Sequence, residues 1–147
     1  MLNLSTILES TALKYPKRKA FTIGESSLNY AQINAAANQV ANSLKSLGIQ
    51  KGDKVALTCP NVPYFPIIYF GILKAGAAVV PLSVLLKKDE VAYHLKDSEA
   101  KAYFSFIGTP EIPMAQHVLD AFNEVETCKY IFVIIPQHDQ ASALPNK

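Results

Sequence analysis

A doubly wound, mostly parallel α/β sheet flanked by helices is the fold this sequence predicts, and three observations predict it. Four short runs rich in apolar residues begin near residues 54, 77, 101 and 130. A helical pattern occupies every gap between them. The stretch from Gly52 to Leu82 condenses the whole plan into a Gly-Asp turn, a strand, a helix, a glycine stop and a second strand, which is one β-α-β unit. Strands separated by helices pair in parallel, and their crossovers are expected to be right-handed. No repeat signature accompanies the spacing, so a solenoid is not expected.

From the amino end, Leu4, Ile7, Leu8 and Thr11 or Ala12 share one helical face behind Asn3 as a candidate cap. Tyr15-Pro16 ends that helix, because the residue before a proline avoids the α region. Ala20 to Ile23 and Ser27 to Asn29 flank Gly24-Glu25, which predicts a small hairpin at the sheet's edge. Asn29 followed by Gln32 is a capping-box variant, and Ile33, Ala37, Val40, Leu44 and Leu47 then form an apolar stripe that ends at Gly48. The opposite face, with Asn34, Asn38, Asn42 and Lys45, is expected to meet solvent.

Lys54 to Thr58 and Ala77 to Leu82 are nearly continuous in apolar residues, as strands covered on both faces are. Tyr64 to Ala75 is apolar on nearly every side until Lys74, so a helix there is buried, and Gly76 stops it. Pro66 lies inside that run and lacks a donor, so either the helix starts at Pro66 or its first turn is distorted. In Lys87 to Asp97, Val91 and Leu95 fall four apart behind Asp89 and Glu90, acids that suit the positive end of a helix. Lys101 to Phe106 is the next strand, Gly108-Thr-Pro a turn, and Met114, Val118, Ala121, Phe122 and Val125 mark the last helix. Tyr130 to Ile135, β-branched and aromatic throughout, is the last strand. Residues 1–135 thus make one α/β unit. Residues 136–147, without periodicity, are expected to be a tail or a linker toward a further region.

Half of the 147 residues are apolar, enough for one core, and the net charge is only +2. The basic clusters Lys14 to Lys19 and Lys87-Lys88 lack the motif context of a nucleic-acid surface, so they read as solvated faces and no nucleic-acid partner is expected. Cys59 and Cys128 match no ligand spacing and are expected to be buried free thiols in a reducing compartment. There is no signal-peptide pattern at the amino end. Pro60, Pro63, Pro66, Lys74 and Pro81 interrupt the most apolar part, so no transmembrane segment and a cytoplasmic location are expected.

Catalytic spacings are missing. The sequence has no Gly-rich P-loop, no Gly-x-Gly-x-x-Gly after the first strand, no Gly-x-Ser-x-Gly elbow and no His-Glu-x-x-His. His94, His117 and His138 each stand alone and are expected to be structural or solvated, while Asp53 beside Gly52 suits a turn. No catalytic residue or metal ligand is assigned. Ligands of doubly wound sheets gather outside the carboxyl ends of the strands, which selects Thr58 to Val62, Pro81 to Leu86 and Phe106 to Thr109.

Five blocks carry a resemblance. Leu28-Asn-Tyr-Ala-Gln-Ile-Asn with Ala-Asn-Gln-Val-Ala, then Leu47-Gly-Ile-Gln-Lys-Gly-Asp-Lys-Val-Ala-Leu, Pro60-Asn-Val-Pro-Tyr-Phe, Gly71-Ile-Leu-Lys-Ala-Gly-Ala-Ala-Val-Val-Pro-Leu and Asp97-Ser-Glu-Ala-Lys follow one another in order. From about Leu4 to Ile135 the chain resembles the opening of the AMP-forming acyl-CoA synthetases of the adenylate-forming superfamily. The resemblance implies an N-terminal subdomain of an enzyme that joins a fatty or other carboxylic acid to ATP as acyl-adenylate, with Mg2+, and passes the acyl group to coenzyme A. It also implies that the loop Pro81, Leu82, Ser83 and Val84 lies on the coenzyme A side, with Lys87 and Lys88 near its phosphates. The family's phosphate loop ending in Pro-Lys-Gly, adenine-side aromatic motif, acidic magnesium motif, ribose-binding Asp, hinge and catalytic Lys have no counterpart in these 147 residues. The fragment alone is therefore expected to be inactive, to bind no nucleotide tightly, and to self-associate through a face that a further subdomain would cover. Alternatives are a stand-alone binding or assembly module, or the start of a peptide-synthetase adenylation domain or acyl-carrier-protein ligase.

Overall fold

The computed structural model describes residues 3–136. The elements are α1 (Ser5–Lys14), β1 (Lys19–Ile23), β2 (Ser26–Asn29), α2 (Tyr30–Ser46), β3 (Lys54–Thr58), α3 (Tyr64–Lys74), β4 (Ala78–Pro81), α4 (Lys88–Ser98), β5 (Ala102–Phe106), α5 (Met114–Phe122) and β6 (Tyr130–Ile134). β3 to β6 form a parallel sheet in the order β4-β3-β5-β6. The predicted α/β architecture is the observed one. The tail expected after Pro136, with His138, lies outside the described residues.

The sheet separates two apolar layers because successive strand side chains alternate in direction. Val55 and Leu57 of β3, Ala102 and Phe104 of β5 and Ile134 of β6 pack with Ala41 and Leu44 of α2 and Ile68 and Ile72 of α3. Ala56 and Tyr103 face the other way, onto Val91 and Leu95 of α4 and Val118 and Ala121 of α5. The central strands β3 and β5 are buried almost throughout. The edge strand β4 is not, since Ala78 and Pro81 are exposed, which corrects the expectation that this run is covered on both faces. Its apolar residues suit an edge all the same, for Pro81 has no amide proton to donate to a further strand.

Most local expectations hold, and the departures have plain causes. The capping box of α2 is formed: the Gln32 amide donates to Asn29 Oδ1 and the Asn29 amide donates to Gln32 Oε1, each at 2.9 Å. Asn34 is half-buried rather than solvated, with its Oδ1 unpartnered among the described residues. The hairpin β1–β2 is a separate two-stranded sheet, not an edge of the main one. Ala20 and Leu28 hold it against a small core of Leu8, Ile33 and Ala37 instead. α3 begins at Tyr64, and Pro66 sits in its first turn, where helix amides lack a partner in any case. The Phe65 amide reaches Val62 O at 2.9 Å, so the turn is tightened rather than broken. Val125, expected in the last helix, lies past its end at Phe122, yet is buried through a turn in which its amide donates to Phe122 O.

The block Gly71-Ile-Leu-Lys-Ala-Gly-Ala is explained residue by residue. Gly71 is where α2 and α3 touch, since a β carbon there would stand 2.6 Å from Val40 Cβ. Ile72 and Ala75 are buried, and Gly76 closes the helix at φ +86°. Lys74 Nζ donates to Glu9 Oε1 at 2.5 Å, its own side chain only 6% exposed, and Asn3 Nδ2 donates to Leu73 O at 2.7 Å. These two contacts tie α1 to the end of α3.

Candidate ligand-binding edge

Three loops meet at the carboxyl edge of the sheet, following β3, β4 and β5. From β3 the chain turns by way of α3 to β4 on one side, and from β5 by way of α5 to β6 on the other. Connections that diverge on opposite faces leave a crevice between neighbouring strands, here between the ends of β3 and β5. Thr58 and Ser105 face each other across it in parallel register.

The floor of this crevice is polar but closed. Thr58 Oγ1 and Tyr103 Oη share a hydrogen bond of 2.5 Å, with Thr58 3% exposed and Tyr103 fully buried. Burial pushes the Tyr103 phenol up to about 12, against the opposing pull of the Thr58 hydrogen bond. Burial likewise pushes the Cys59 thiol, at the end of β3, up to about 12, and the Cys128 thiol up to about 11. Neither thiol is a nucleophile at neutral pH, because the reactive thiolate is the disfavoured form. Thr58, Tyr103 and Cys59 shape this edge, whereas Cys128 precedes β6 at the opposite end of the sheet.

A stability consequence follows from the three raised groups, Tyr103, Cys59 and Cys128. The unfolded chain releases thiol protons from about pH 9 upward, whereas the folded chain retains them. Each raised pKa therefore leaves stability intact below that range and removes it as pH rises toward the folded values. Urea midpoints are expected to fall steadily above about pH 9, and Cys59→Ala with Cys128→Ala is expected to flatten that fall while shifting the midpoint at neutral pH.

The loop after β4 carries the residues assigned to the coenzyme A side. Pro81 is exposed and pairs with Leu57, and the Leu82 amide donates to Leu57 O at 2.9 Å. Leu82 is half-buried against the layer beneath α4. Ser83 is exposed and its Oγ accepts from the Leu85 amide at 3.3 Å, while Val84 is half-buried. The loop thus stands beside β3, on the side of that strand away from the crevice between β3 and β5. Lys88 pairs with Glu124 from beyond α5, which raises the pKa of the lysine and lowers that of the acid. Lys87 is exposed, and its amide donates to Glu90 Oε2 at 2.9 Å. Sequence reasoning missed the Thr58–Tyr103 bond and both ion pairs, because each joins residues far apart in the chain.

The loop after β5 is the most constrained of the three. The Thr109 amide donates to Ile112 O at 3.0 Å, and the Met114 amide donates to the same oxygen at 2.9 Å. Gly108, at φ +89°, lies against that oxygen so closely that a β carbon would stand 2.3 Å away. His94 and His117 are half-buried on α4 and α5. Among the described residues no three of the His, Cys, Asp and Glu side chains come together, so no position for magnesium is assigned to them.

Comparison with known proteins adds what this edge cannot supply. The model of the AMP-binding enzyme family matches residues 8–145. The chain belongs to that family. A long-chain-fatty-acid–CoA ligase of Mycobacterium tuberculosis is 37% identical over 116 residues, which are 78% of this chain and 23% of that protein. The solved Mycobacterium tuberculosis fatty acyl CoA synthetase superposes with a TM-score of 0.77 at 33% identity, over 90% of this chain and 26% of that one. An anthranilate CoA ligase in complex with anthranoyl-AMP superposes with a TM-score of 0.82 at 28% identity, over 90% of this chain and 25% of that one. The chain thus spans about a quarter of each relative. No helix among its described residues is long and apolar enough to cross a membrane.

Proposed function

We propose that this chain is the N-terminal α/β subdomain, residues 1–135, of an ATP-dependent acid–thiol ligase. The enzyme would activate a carboxylic acid as acyl-adenylate and transfer the acyl group to coenzyme A. The observation that carries this reading is the 37% identity, over 78% of the chain, to a protein named as a fatty-acid–CoA ligase. A fatty acid is the favoured substrate class on the same ground. Residues 136–147 would lead to the region that holds the phosphate loop, the magnesium site and the catalytic lysine.

In this reading the chain's own residues supply structure at the substrate side and no step of the chemistry. Pro81, Leu82, Ser83 and Val84 form the rim toward coenzyme A, and the buried Thr58–Tyr103 bond fixes the end of β3 beside it. Magnesium would neutralise phosphate charge from ligands supplied elsewhere. Beside β6 lies an apolar groove of about 320 Å³ that includes Val40, Tyr64, Ile67, Phe104 and Phe132 in its walls. It is the face that the downstream subdomain would cover, and the isolated chain would self-associate there. Light scattering tests that point, and a monomer at high concentration would count against it.

The reading is tested by the encoding DNA past codon 147. A frame that continues into a Ser/Thr/Gly-rich loop ending in Pro-Lys-Gly supports it. A stop codon after Lys147 overturns it in favour of a stand-alone binding module.

A further inference from the structure

We propose that two copies of this chain pair, antiparallel, through the outer edge of β6, so that their sheets run on into one another. The inference rests on the edge of that strand and not on the catalytic reading, and it gives the self-association of the isolated chain a defined geometry.

The two outer strands of the sheet are not alike. β4 spans only Ala78–Pro81, and Pro81 has no amide proton. The Ala78 amide donates to Asp53 O at 2.8 Å and the Leu82 amide to Leu57 O at 2.9 Å, so alternation leaves Val79 with the outward amide of that strand. β6 has no such guard. Tyr130–Ile134 reads Tyr-Ile-Phe-Val-Ile, without charge, proline or glycine, and among the described residues no strand lies beyond it. Its register with β5 runs unbroken from Tyr130 to Ile134, and Ile134 O accepts from the Ile107 amide at 3.0 Å. The backbone groups of Phe132 and Ile134 therefore face β5, and those of Ile131 and Val133 face outward. An edge of this composition is a template for a further strand. Where β5 is buried from Ala102 to Ser105, β6 is only half-buried from Tyr130 to Val133.

The strand is complementary to itself. With a two-fold axis at Phe132, Ile131 meets Val133 of the second copy and Val133 meets its Ile131, and each couple exchanges both hydrogen bonds of an antiparallel pair. Phe132 meets Phe132 across the axis with β carbons about 5 Å apart. Its ring already lies on Phe104, with centroids 4.6 Å apart, in the wall of the apolar groove, so the second copy would carry that apolar surface across the join and out of water. Charge sets the direction. Lys129 stands just before the strand and is exposed. A parallel pair would set the two lysines side by side, whereas the antiparallel pair sends them to opposite ends. Residues 137–147 hold no β-branched side chain and no Phe, Tyr or Trp, the types enriched in strands, whereas a second β6 supplies them.

Hydrogen exchange of the 147-residue chain, read amide by amide by NMR against concentration, tests the proposal. Between about 10 µM and about 1 mM the Ile131 and Val133 amides are expected to slow roughly fivefold or more, while the Val79 amide keeps its rate. Sedimentation velocity over the same range is expected to stop at a dimer, since an isologous contact closes on itself. Val133→Pro removes an outward donor and no bond of the sheet, and is expected to weaken the dimer at least roughly tenfold. Val79→Pro, its counterpart on β4, is expected to leave the dimer within about twofold. Circular dichroism checks that both variants fold, and if Val133→Pro does not, the exchange pattern of the unsubstituted chain decides. A monomer at about 1 mM, growth past the dimer, equal slowing at Val79, a dimer whose Ile131 and Val133 amides exchange as freely as in dilute solution, or a folded Val133→Pro that dimerises as well as the parent would each overturn the proposal. None of these outcomes bears on the activity of a longer chain.

Discussion

Gly108→Ala is expected to lower the free energy of unfolding by about 4 kcal/mol, the largest effect among the glycine-to-alanine changes. Two costs add. At φ +89° an alanine takes a backbone conformation that costs it about 1–3 kcal/mol. Its β carbon would also meet Ile112 O at 2.3 Å and the Met114 amide nitrogen at 2.6 Å. Both are backbone atoms already bonded to each other at 2.9 Å, so no side-chain rotation relieves the contact. The loop must open, and with it the start of α5, at about 1–3 kcal/mol more. Urea unfolding monitored by circular dichroism measures the loss. A change below about 1 kcal/mol would mean that the turn is built differently.

Gly71→Ala is the second large effect, expected at about 2 kcal/mol of destabilisation although alanine is the better helix former. The propensity gain is about 1 kcal/mol. Against it stands a β carbon 2.6 Å from both Val40 Cβ and Val40 Cγ1 and 3.0 Å from Ala37 O. A β carbon has no rotamer, so α2 and α3 must move apart, which loosens the layer over the sheet. The sign of the result decides which term wins. The partner is testable too: in Val40→Gly the same alanine should cost less by about 1 kcal/mol or more, a coupling that a double-mutant cycle reads. Additive losses would show that the two helices do not touch at this pair.

The sequence was most legible where a local rule and a global demand coincide. Asn29 and Gln32 announced the start of α2, and Gly76 and the apolar run after it announced β4. Periodicity overreached at Val125, which is buried by a turn and not by a helix. It also could not tell an edge strand from a central one, because Ala78 to Pro81 is as apolar as the covered strand beside it. The polar pairs were illegible for a different reason. Thr58 and Tyr103 are 45 residues apart, and Glu9 and Lys74 are 65 apart, so no spacing rule joins them. Lys74 looked like an interruption in an apolar helix and is instead the buried end of an ion pair. The candidate site was legible as an edge, through the rule for doubly wound sheets, but its chemistry was not, since most residues at that edge are apolar or engaged with one another.

In the proposed function this chain is the structural opening of an adenylating enzyme whose chemistry lies in residues beyond it. The deciding measurement is acid-dependent exchange of pyrophosphate into ATP, by the 147 residues alone and by the chain continued through its reading frame. No exchange is expected from the 147 residues with any acid, and exchange is expected from the continued chain with at least one carboxylic acid. Exchange by the 147 residues themselves, or none by the continued chain across fatty, aromatic and short dicarboxylic acids, would contradict it.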